Sequence, residues 1–216
     1  MKLLEYYRPT VYGVLATGLG YDRRMRVIAG TYRSRPLEAP RGTATRPTSD
    51  RLRETLFNVL APRIRGARFA DLYAGSGAVG IEAISRGAEH VWFAESSASA
   101  LAAIRGNLAK LKIGGGYSVE DRSVGHLLRS LVKSARALNI VFLDPPYEAA
   151  AEYSETLGLL GREHASILAP GAVVVVEHLK KVELAECCGP LERTRILKQG
   201  DAVLSFYAVA EPRVSQ

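Results

Sequence analysis

Apolar residues beyond position 68 form short continuous runs that alternate with stretches of helical spacing. The runs typical of buried strands are 69–73, 90–95, 117–121, 140–144 and 172–177. Between them lie helical segments such as 97–111, which has Leu101, Ile104, Leu108 and Leu111 on one face. This alternation predicts βαβ units, and therefore an α/β fold with a mostly parallel sheet and helices on both faces.

The two ends of the chain follow other patterns. Residues 195–209 predict a C-terminal antiparallel hairpin around a polar turn. Residues 25–40 predict a small N-terminal β-hairpin that turns at Gly30. A helix is expected to begin at Thr48 or Ser49, since either side chain can cap its first turn. We therefore predict three parts: an unassigned extension 1–24, a basic hairpin and loop 25–48, and an α/β domain 49–216.

The positive charge of the chain is concentrated at its N-terminal end. Residues 1–68 hold 14 of the 29 lysines and arginines, against 5 acidic residues. Residues 69–216 hold 15 basic and 17 acidic residues, so the net charge of +7 comes entirely from the first third. Clustered positive charge of this kind favours a polyanionic partner, and we predict that the partner is nucleic acid.

Composition excludes several other classes of protein. Hydrophobic residues make up 47% of the 216 residues and charged residues 24%, as in ordinary globular proteins. No stretch approaches the roughly 18 apolar residues of a membrane helix. The adjacent Cys187 and Cys188 do not form a disulfide framework. We therefore expect a cytoplasmic protein that does not contact membranes.

A glycine-rich sequence follows the first predicted strand. Gly75, Gly77 and Gly80 match the pattern GxGxxG, and Glu95 ends the next strand, where a carboxylate can bind ribose hydroxyls. The glycines alone do not distinguish a nicotinamide dinucleotide from S-adenosylmethionine. Asp71, four residues ahead of Gly75, favours the second ligand. A carboxylate repels a pyrophosphate but attracts the ammonium and sulfonium groups of S-adenosylmethionine.

The third strand is expected to contribute to the same cofactor site. One residue of Glu120, Asp121 and Arg122 is predicted to border the adenine, because all three lie at the end of that strand. The residues predicted to bind S-adenosylmethionine are Asp71, Tyr73, Gly75, Gly77, Glu95 and Asp121.

The fourth predicted strand ends in Asp144-Pro145-Pro146-Tyr147. Two prolines fix φ and remove two N–H donors, so this loop is stiff and holds a carboxylate at a strand's carboxyl end. If Asp144 and the Pro145 carbonyl each accept one N–H of an exocyclic amine, the nitrogen lone pair is directed at a methyl donor. Orientation of this kind supplies up to about 7–11 kcal/mol. Tyr147 is predicted to stack on the base.

Metal and covalent catalysis are not expected. The four histidines have no spacing typical of metal ligands, and no Ser/His/Asp or Cys/His set stands out. They are His90, His126, His164 and His178.

These motifs together resemble the bacterial RsmD-type methyltransferases, which methylate the N2 amine of one guanine in small-subunit ribosomal RNA. The resemblance runs from about Met25 to Ala210. The glycine and proline motifs are common to amino-methyltransferases, and two N-terminal motifs distinguish this family. The matching segments are 26–30, 45–48 with 53–58, 71–77 and 144–147.

The resemblance implies a class I methyltransferase (Rossmann-like) fold for the domain 49–216 and S-adenosylmethionine as its cofactor. It places the target guanine at Asp144 and Tyr147, and Arg46 and Thr48 in a loop near the pocket. Its implied partner is ribosomal RNA, within a partly or fully assembled small subunit, and we expect a monomer. The residues predicted to contact substrate are Arg26, Arg33, Arg35, Arg46, Thr48 and Pro146.

Two other functions stay open at this point. An N6-adenine methyltransferase acting on DNA needs the same proline loop, because adenine also carries an exocyclic amine. A nicotinamide-dependent oxidoreductase needs only the glycine motif.

Overall fold

A computed structural model of the protein describes residues 25–40, 49–146 and 150–210. Its strands are β1 (Arg68–Leu72), β2 (His90–Ala94), β3 (Tyr117–Glu120), β4 (Leu138–Leu143), β5 (Leu168–Leu179), β6 (Cys187–Cys188), β7 (Leu191–Gln199) and β8 (Ala202–Val209). Its α-helices are α1 (Asp50–Ile64), α2 (Ala78–Ser85), α3 (Ala98–Lys110), α4 (Val124–Lys133) and α5 (Ala150–Gly158). A π-helical turn, Leu159–Glu163, and a 3-10 turn, Ala165–Ile167, follow α5.

The eight strands form one sheet in the order β3-β2-β1-β4-β5-β8-β7-β6. The first five strands are parallel, and β8 runs antiparallel between β5 and β7. The antiparallel strand β8 distinguishes this sheet from that of the dinucleotide-binding fold, which is all parallel and has the strand order 3-2-1-4-5-6. The five predicted strands and the C-terminal hairpin are confirmed. Local patterns did not predict β6, where Cys187 is exposed, Cys188 is buried and both thiols are free.

Helices cover both faces of the sheet, as predicted. On the face covered by α1, α2 and α3, the core includes Leu56, Phe57, Phe69, Phe93, Ile104 and Phe142. On the face covered by α4 and α5, it includes Leu72, Leu128, Val141, Leu143, Tyr153 and Val174. The expected start of α1 is also confirmed, since the Ser49 hydroxyl caps this helix by accepting the Leu52 N–H at 3.2 Å.

Residues 25–40, which we call the N-terminal segment, differ in detail from the predicted hairpin. Their arms pair antiparallel around one bridge between Arg26 and Pro36, with backbone hydrogen bonds across the arms that involve Met25 and Val27. The chain turns over residues 31–34 rather than at Gly30. Nearer the turn, the backbone N–H groups of Ile28, Ala29 and Thr31 bond to α2. Gly30, at φ +83°, lies so close to α2 that a Cβ there would be 1.9 Å from the Ser85 carbonyl oxygen.

Two side chains of α2 hold this segment. The buried Glu82 carboxylate accepts the N–H groups of Ile28 (2.7 Å) and Ala29 (3.0 Å). The Ser85 hydroxyl donates to the Ala29 carbonyl and accepts the Tyr32 N–H at 3.0 Å. The segment also adds three side chains to the α1–α3 side of the core: Met25, Val27 and Leu37. It is therefore docked through its backbone as well as its side chains.

No helix within the described ranges is long and apolar enough to span a bilayer.

Candidate active site

The two predicted loops meet where the strand order reverses. Strand β1 pairs with β2 on one side and with β4 on the other, which makes its carboxyl end the switch point of the sheet. Leu72 and Leu143, the last residues of β1 and β4, are partners in register. Beyond them the Asp144 N–H lies 3.4 Å from the Leu72 carbonyl oxygen. The glycine loop (residues 73–77) and the proline loop (residues 144–146) are thus neighbours.

The glycine loop adopts a left-handed backbone that leads directly into α2. Tyr73 has φ +64°, and Gly77, the N-cap of α2, has φ +76°. The Gly77 N–H donates to the Ala74 carbonyl at 2.7 Å, which closes the turn. A helix that begins at such a turn directs its first free N–H groups toward the carboxyl edge of the sheet, where they can bind a ligand's polar groups.

Asp71 lies beneath this loop and is almost completely buried. Its Oδ2 accepts the Gly80 N–H at 2.8 Å, which ties β1 to the first turn of α2. Burial raises the pKa of Asp71 well above its usual range, the Gly80 hydrogen bond opposes this shift, and the charges of Asp144 and Glu95 add to it. The site therefore brings the carboxyl groups of Asp71, Glu95 and Asp144 close together.

Glu95 joins the glycine loop to the end of β2. Its Oε2 accepts the Gly75 N–H at 2.8 Å, and its Oε1 accepts the N–H groups of Ser96 and Ser97, each at 2.8 Å. The side chain is half-buried. A carboxylate has about four acceptor positions, so these three hydrogen bonds leave capacity for a hydroxyl donor from a ligand.

The end of β3 presents two different carboxylates. Glu120, 19% exposed, lies 3.1 Å from His126 Nδ1, and its backbone carbonyl accepts the Glu95 N–H at 3.1 Å. Asp121 is 59% exposed and lies 3.7 Å from an Arg105 guanidinium nitrogen. The predicted adenine-bordering stretch is therefore next to Glu95, with Glu120 the more enclosed of its two acids.

Tyr73 directs its hydroxyl toward α5. That hydroxyl donates to Glu152 Oε2 at 2.5 Å and lies 2.7 Å from Thr156 Oγ1. Burial and the hydrogen bond to Glu152 raise the pKa of Tyr73 above its usual value. Local sequence patterns could not identify Glu152 and Thr156 as partners, because they lie 79 and 83 residues away along the chain. The contact joins the glycine loop to the helix that follows the proline loop.

The proline loop presents residues of different accessibility at the same edge. Asp144 is half-buried, Pro145 is buried and Pro146 is exposed. The Asp144 carboxylate is close enough to Asp71 to raise its pKa. Three other predicted site residues lie outside the described part of the chain: Arg46, Thr48 and Tyr147.

The predicted polyanion contacts are on the surface of the N-terminal segment. Arg33 and Arg35 are exposed. The Arg26 side chain is 62% exposed, and its Nε lies 3.5 Å from Asp50 Oδ2. Among the residues that the structure describes, no group of three or more His, Cys, Asp or Glu side chains is arranged to hold a metal ion.

The chain is similar to known proteins in both sequence and fold. A family model described as conserved hypothetical protein 95 matches residues 25–208. The chain is 37% identical over 183 residues to the putative rRNA methyltransferase YlbH of Bacillus subtilis, covering 85% of this chain and 98% of that protein. It is 40% identical over 154 residues to ribosomal RNA small subunit methyltransferase D of Escherichia coli, covering 71% and 74%.

Solved structures extend the similarity to the fold. The structure described as putative methyltransferase yhhF from Escherichia coli superimposes with a TM-score of 0.74 at 35% sequence identity. The alignment covers 87% of this chain and 98% of that one. The two chains therefore share one fold over most of their length.

Proposed function

Because the chain belongs to the family described as conserved hypothetical protein 95, the RsmD-type methyltransferases, we propose that it methylates the exocyclic N2 amine of a guanine in small-subunit ribosomal RNA. The methyl donor in this proposal is S-adenosylmethionine. One observation carries it: the glycine loop and the proline loop lie side by side at the switch point, with Asp144 beside the end of β1. A methyl donor and an amine acceptor held at these two loops would be adjacent.

The residues around the glycine loop suit S-adenosylmethionine, which supplies an electrophilic methyl group on a positively charged sulfonium. Glu95 and Asp144 place negative charge beside the loop, and this favours a cationic ligand over a pyrophosphate. Glu95 has acceptor capacity left for a ribose hydroxyl. We assign the cofactor contacts to Asp71, Tyr73, Gly75, Gly77, Glu95 and Asp121.

We assign the amine to the proline loop. Asp144 and the Pro145 carbonyl would each accept one N–H, which turns the nitrogen lone pair out of conjugation with the ring. S-adenosylmethionine held at the glycine loop would supply the methyl group to this nitrogen, with its sulfur as the leaving group, and Asp144 or water would take the proton that the nitrogen releases. Tyr147 would stack on the base and Pro146 would border it. Catalysis in this scheme is mainly orientation.

Ribosomal RNA as the substrate is supported by the names of the relatives above and by the basic N-terminal segment, and guanine N2 is the target that the resemblance to the RsmD-type family implies. An adenine amine would fit the same proline loop, so the choice of base belongs to other residues, and we assign it to the N-terminal segment with Arg46 and Thr48. We propose that the substrate is a partly or fully assembled small subunit.

Methylation assays on three substrates test this proposal. Small ribosomal subunits, naked ribosomal RNA and duplex DNA, prepared from a strain lacking its own enzyme of this family, are incubated with protein and S-adenosylmethionine. Mass spectrometry of the digested nucleosides is expected to detect N2-methylguanosine in the RNA. N6-methyladenine in the DNA would identify the alternative substrate. Binding of NAD(H) instead of S-adenosylhomocysteine in calorimetry would contradict methyl transfer altogether.

The salt dependence of RNA binding tests the role assigned to the N-terminal segment. Replacing Arg33 and Arg35 by glutamine is expected to weaken binding and reduce the slope of log K against log salt by about 1.4–1.8, because two phosphate contacts are lost. Filter binding across a salt series measures the slope. The matched control is Arg129→Gln with Lys133→Gln, two exposed cations on α4. Equal slopes for the two double variants would place the RNA surface elsewhere.

A further inference from the structure

One buried amide links the N-terminal segment to the glycine loop. Asn107, on α3, is 1% exposed. Its Oδ1 accepts the Glu38 N–H at 2.8 Å, and its Nδ2 donates to the Glu38 carbonyl at 3.0 Å. The same Nδ2 donates to the Ser76 carbonyl at 3.0 Å. One N–H of the amide therefore bonds to the N-terminal segment and the other bonds to the glycine loop.

A second contact joins the same two parts of the chain. The Ser76 hydroxyl lies 3.4 Å from the Met25 sulfur, within hydrogen-bonding distance for a thioether acceptor. Met25 and Glu38 are near opposite ends of the N-terminal segment, and Met25 is buried in the core. The segment thus contacts the glycine loop directly through Met25 and through Asn107 at Glu38.

These contacts add to the hydrogen bonds that hold the glycine loop from its other sides, from Gly75 to Glu95 and from Tyr73 to Glu152. Gly75 and Gly77 flank Ser76 at positive φ values, as does Tyr73 earlier in the loop, and a non-glycine residue such as Tyr73 adopts this backbone only when its surroundings hold it. The Ser76 carbonyl, two residues before α2, accepts a hydrogen bond from an amide that lies on a different helix. Release of the N-terminal segment therefore also releases one restraint on the loop.

We propose that Asn107 is a positioning residue that couples the two binding regions, so that cofactor and RNA each strengthen the binding of the other. This inference rests on the proposed function, in which the glycine loop holds the cofactor and the N-terminal segment holds RNA. RNA restrains the N-terminal segment and the cofactor restrains the glycine loop. Because Asn107 joins these two parts, binding of the first ligand already orders part of the site for the second. Such coupling is reciprocal, and its usual size is about 5–150-fold in affinity.

The coupling is measured with S-adenosylhomocysteine and a small-subunit ribosomal RNA transcript. In the wild-type protein, saturating S-adenosylhomocysteine is expected to lower the Kd for the RNA by at least about 5-fold, and the RNA to lower the Kd for S-adenosylhomocysteine equally. In Asn107→Ala both effects are expected to vanish. Asn107→Asp keeps the acceptor for the Glu38 N–H but loses both donors, and it should behave like the alanine variant.

A matched control separates coupling from general loss of contact with Glu38. Lys110, one turn along α3, lies 3.1 Å from the Glu38 carboxylate in an exposed ion pair and does not contact the glycine loop. Lys110→Ala is expected to keep the full coupling. If Lys110→Ala and Asn107→Ala lose it to the same extent, Asn107 has no special role and the inference is wrong.

Hydrogen exchange in the wild-type protein gives a readout that does not depend on a variant folding. S-adenosylhomocysteine alone is expected to slow exchange of the Ile28, Ala29 and Glu38 amides, while amides in β7 and β8 keep their rates. Unchanged exchange in the N-terminal segment, or ligand binding without coupling, contradicts the inference and leaves the proposed function standing. A wild-type protein that does not bind S-adenosylhomocysteine contradicts both.

Discussion

Replacing Asp144 by alanine is expected to lower kcat by at least about 10³-fold, equivalent to about 4 kcal/mol of transition-state stabilisation. In the proposed mechanism this carboxylate accepts one N–H of the target amine and orients its lone pair, and the variant leaves the Pro145 carbonyl to do so alone. Binding of S-adenosylhomocysteine should change little, because most of the assigned cofactor contacts lie on the loops after β1 and β2. Single-turnover methylation and calorimetry measure the two quantities.

Two further variants test whether the loss of activity comes from the loss of the N–H acceptor at Asp144. Asp144→Asn keeps one acceptor oxygen and most of the shape of the side chain, so it should retain more activity than Asp144→Ala if acceptance of the N–H is what matters. Asp201→Ala removes an exposed carboxylate in the turn between β7 and β8 and should leave kcat unchanged. Normal turnover by Asp144→Ala would refute the amine-binding mechanism.

Replacing Glu82 by alanine is expected to lower the free energy of unfolding by about 3–5 kcal/mol. The substitution leaves the Ile28 and Ala29 N–H groups without their acceptor, and it removes the partner of Arg86, whose Nε lies 2.7 Å from Glu82 Oε1. The Arg86 guanidinium also lies over the Phe57 ring, so a charge is left at the edge of the core. Urea denaturation followed by circular dichroism measures the change.

The control for this prediction is on the same stretch of chain. Glu89 is exposed, and its replacement by alanine should change the free energy of unfolding by no more than about 0.5 kcal/mol. Glu82→Gln retains one acceptor oxygen and should fall between the two. A Glu82→Ala variant as stable as the Glu89→Ala variant would mean that the N-terminal segment docks mainly through its apolar side chains.

The parts of this protein that were predictable from sequence are those that local chemistry determines. The spacing and length of the apolar runs predicted where the strands lie. The glycine and proline motifs predicted where both loops lie, because a strand followed by such residues has few backbone conformations available. Adjacency of the two loops then follows from the parallel sheet. The local sequence did not predict which distant side chains form hydrogen bonds to the loops. Tyr73–Glu152 and Asn107–Ser76 join residues 79 and 31 positions apart.

The N-terminal hairpin illustrates the same limit. The pattern of residues 25–40 predicts a paired ladder, but the ladder stops after Val27 because the polar groups of α2 compete for the backbone beyond it. A signal for that competition was present in the sequence. Glu82 is a carboxylate in the otherwise apolar helix Ala78–Ser85, and a charge in such a helix needs a buried partner.

In the proposed function the N-terminal segment selects the target, and its docking then limits how that choice can be changed in engineered chimeras. Its backbone occupies hydrogen-bonding positions on α2 and α3, and Gly30 allows an approach that no side chain permits. A segment from another enzyme can therefore be transplanted only with a glycine at position 30 and with Glu82, Ser85 and Asn107 retained in the recipient. Substitutions at exposed positions such as Arg33 and Arg35 carry no such condition. Specificity in this architecture can therefore diverge freely at exposed side chains, while the path of the backbone stays fixed.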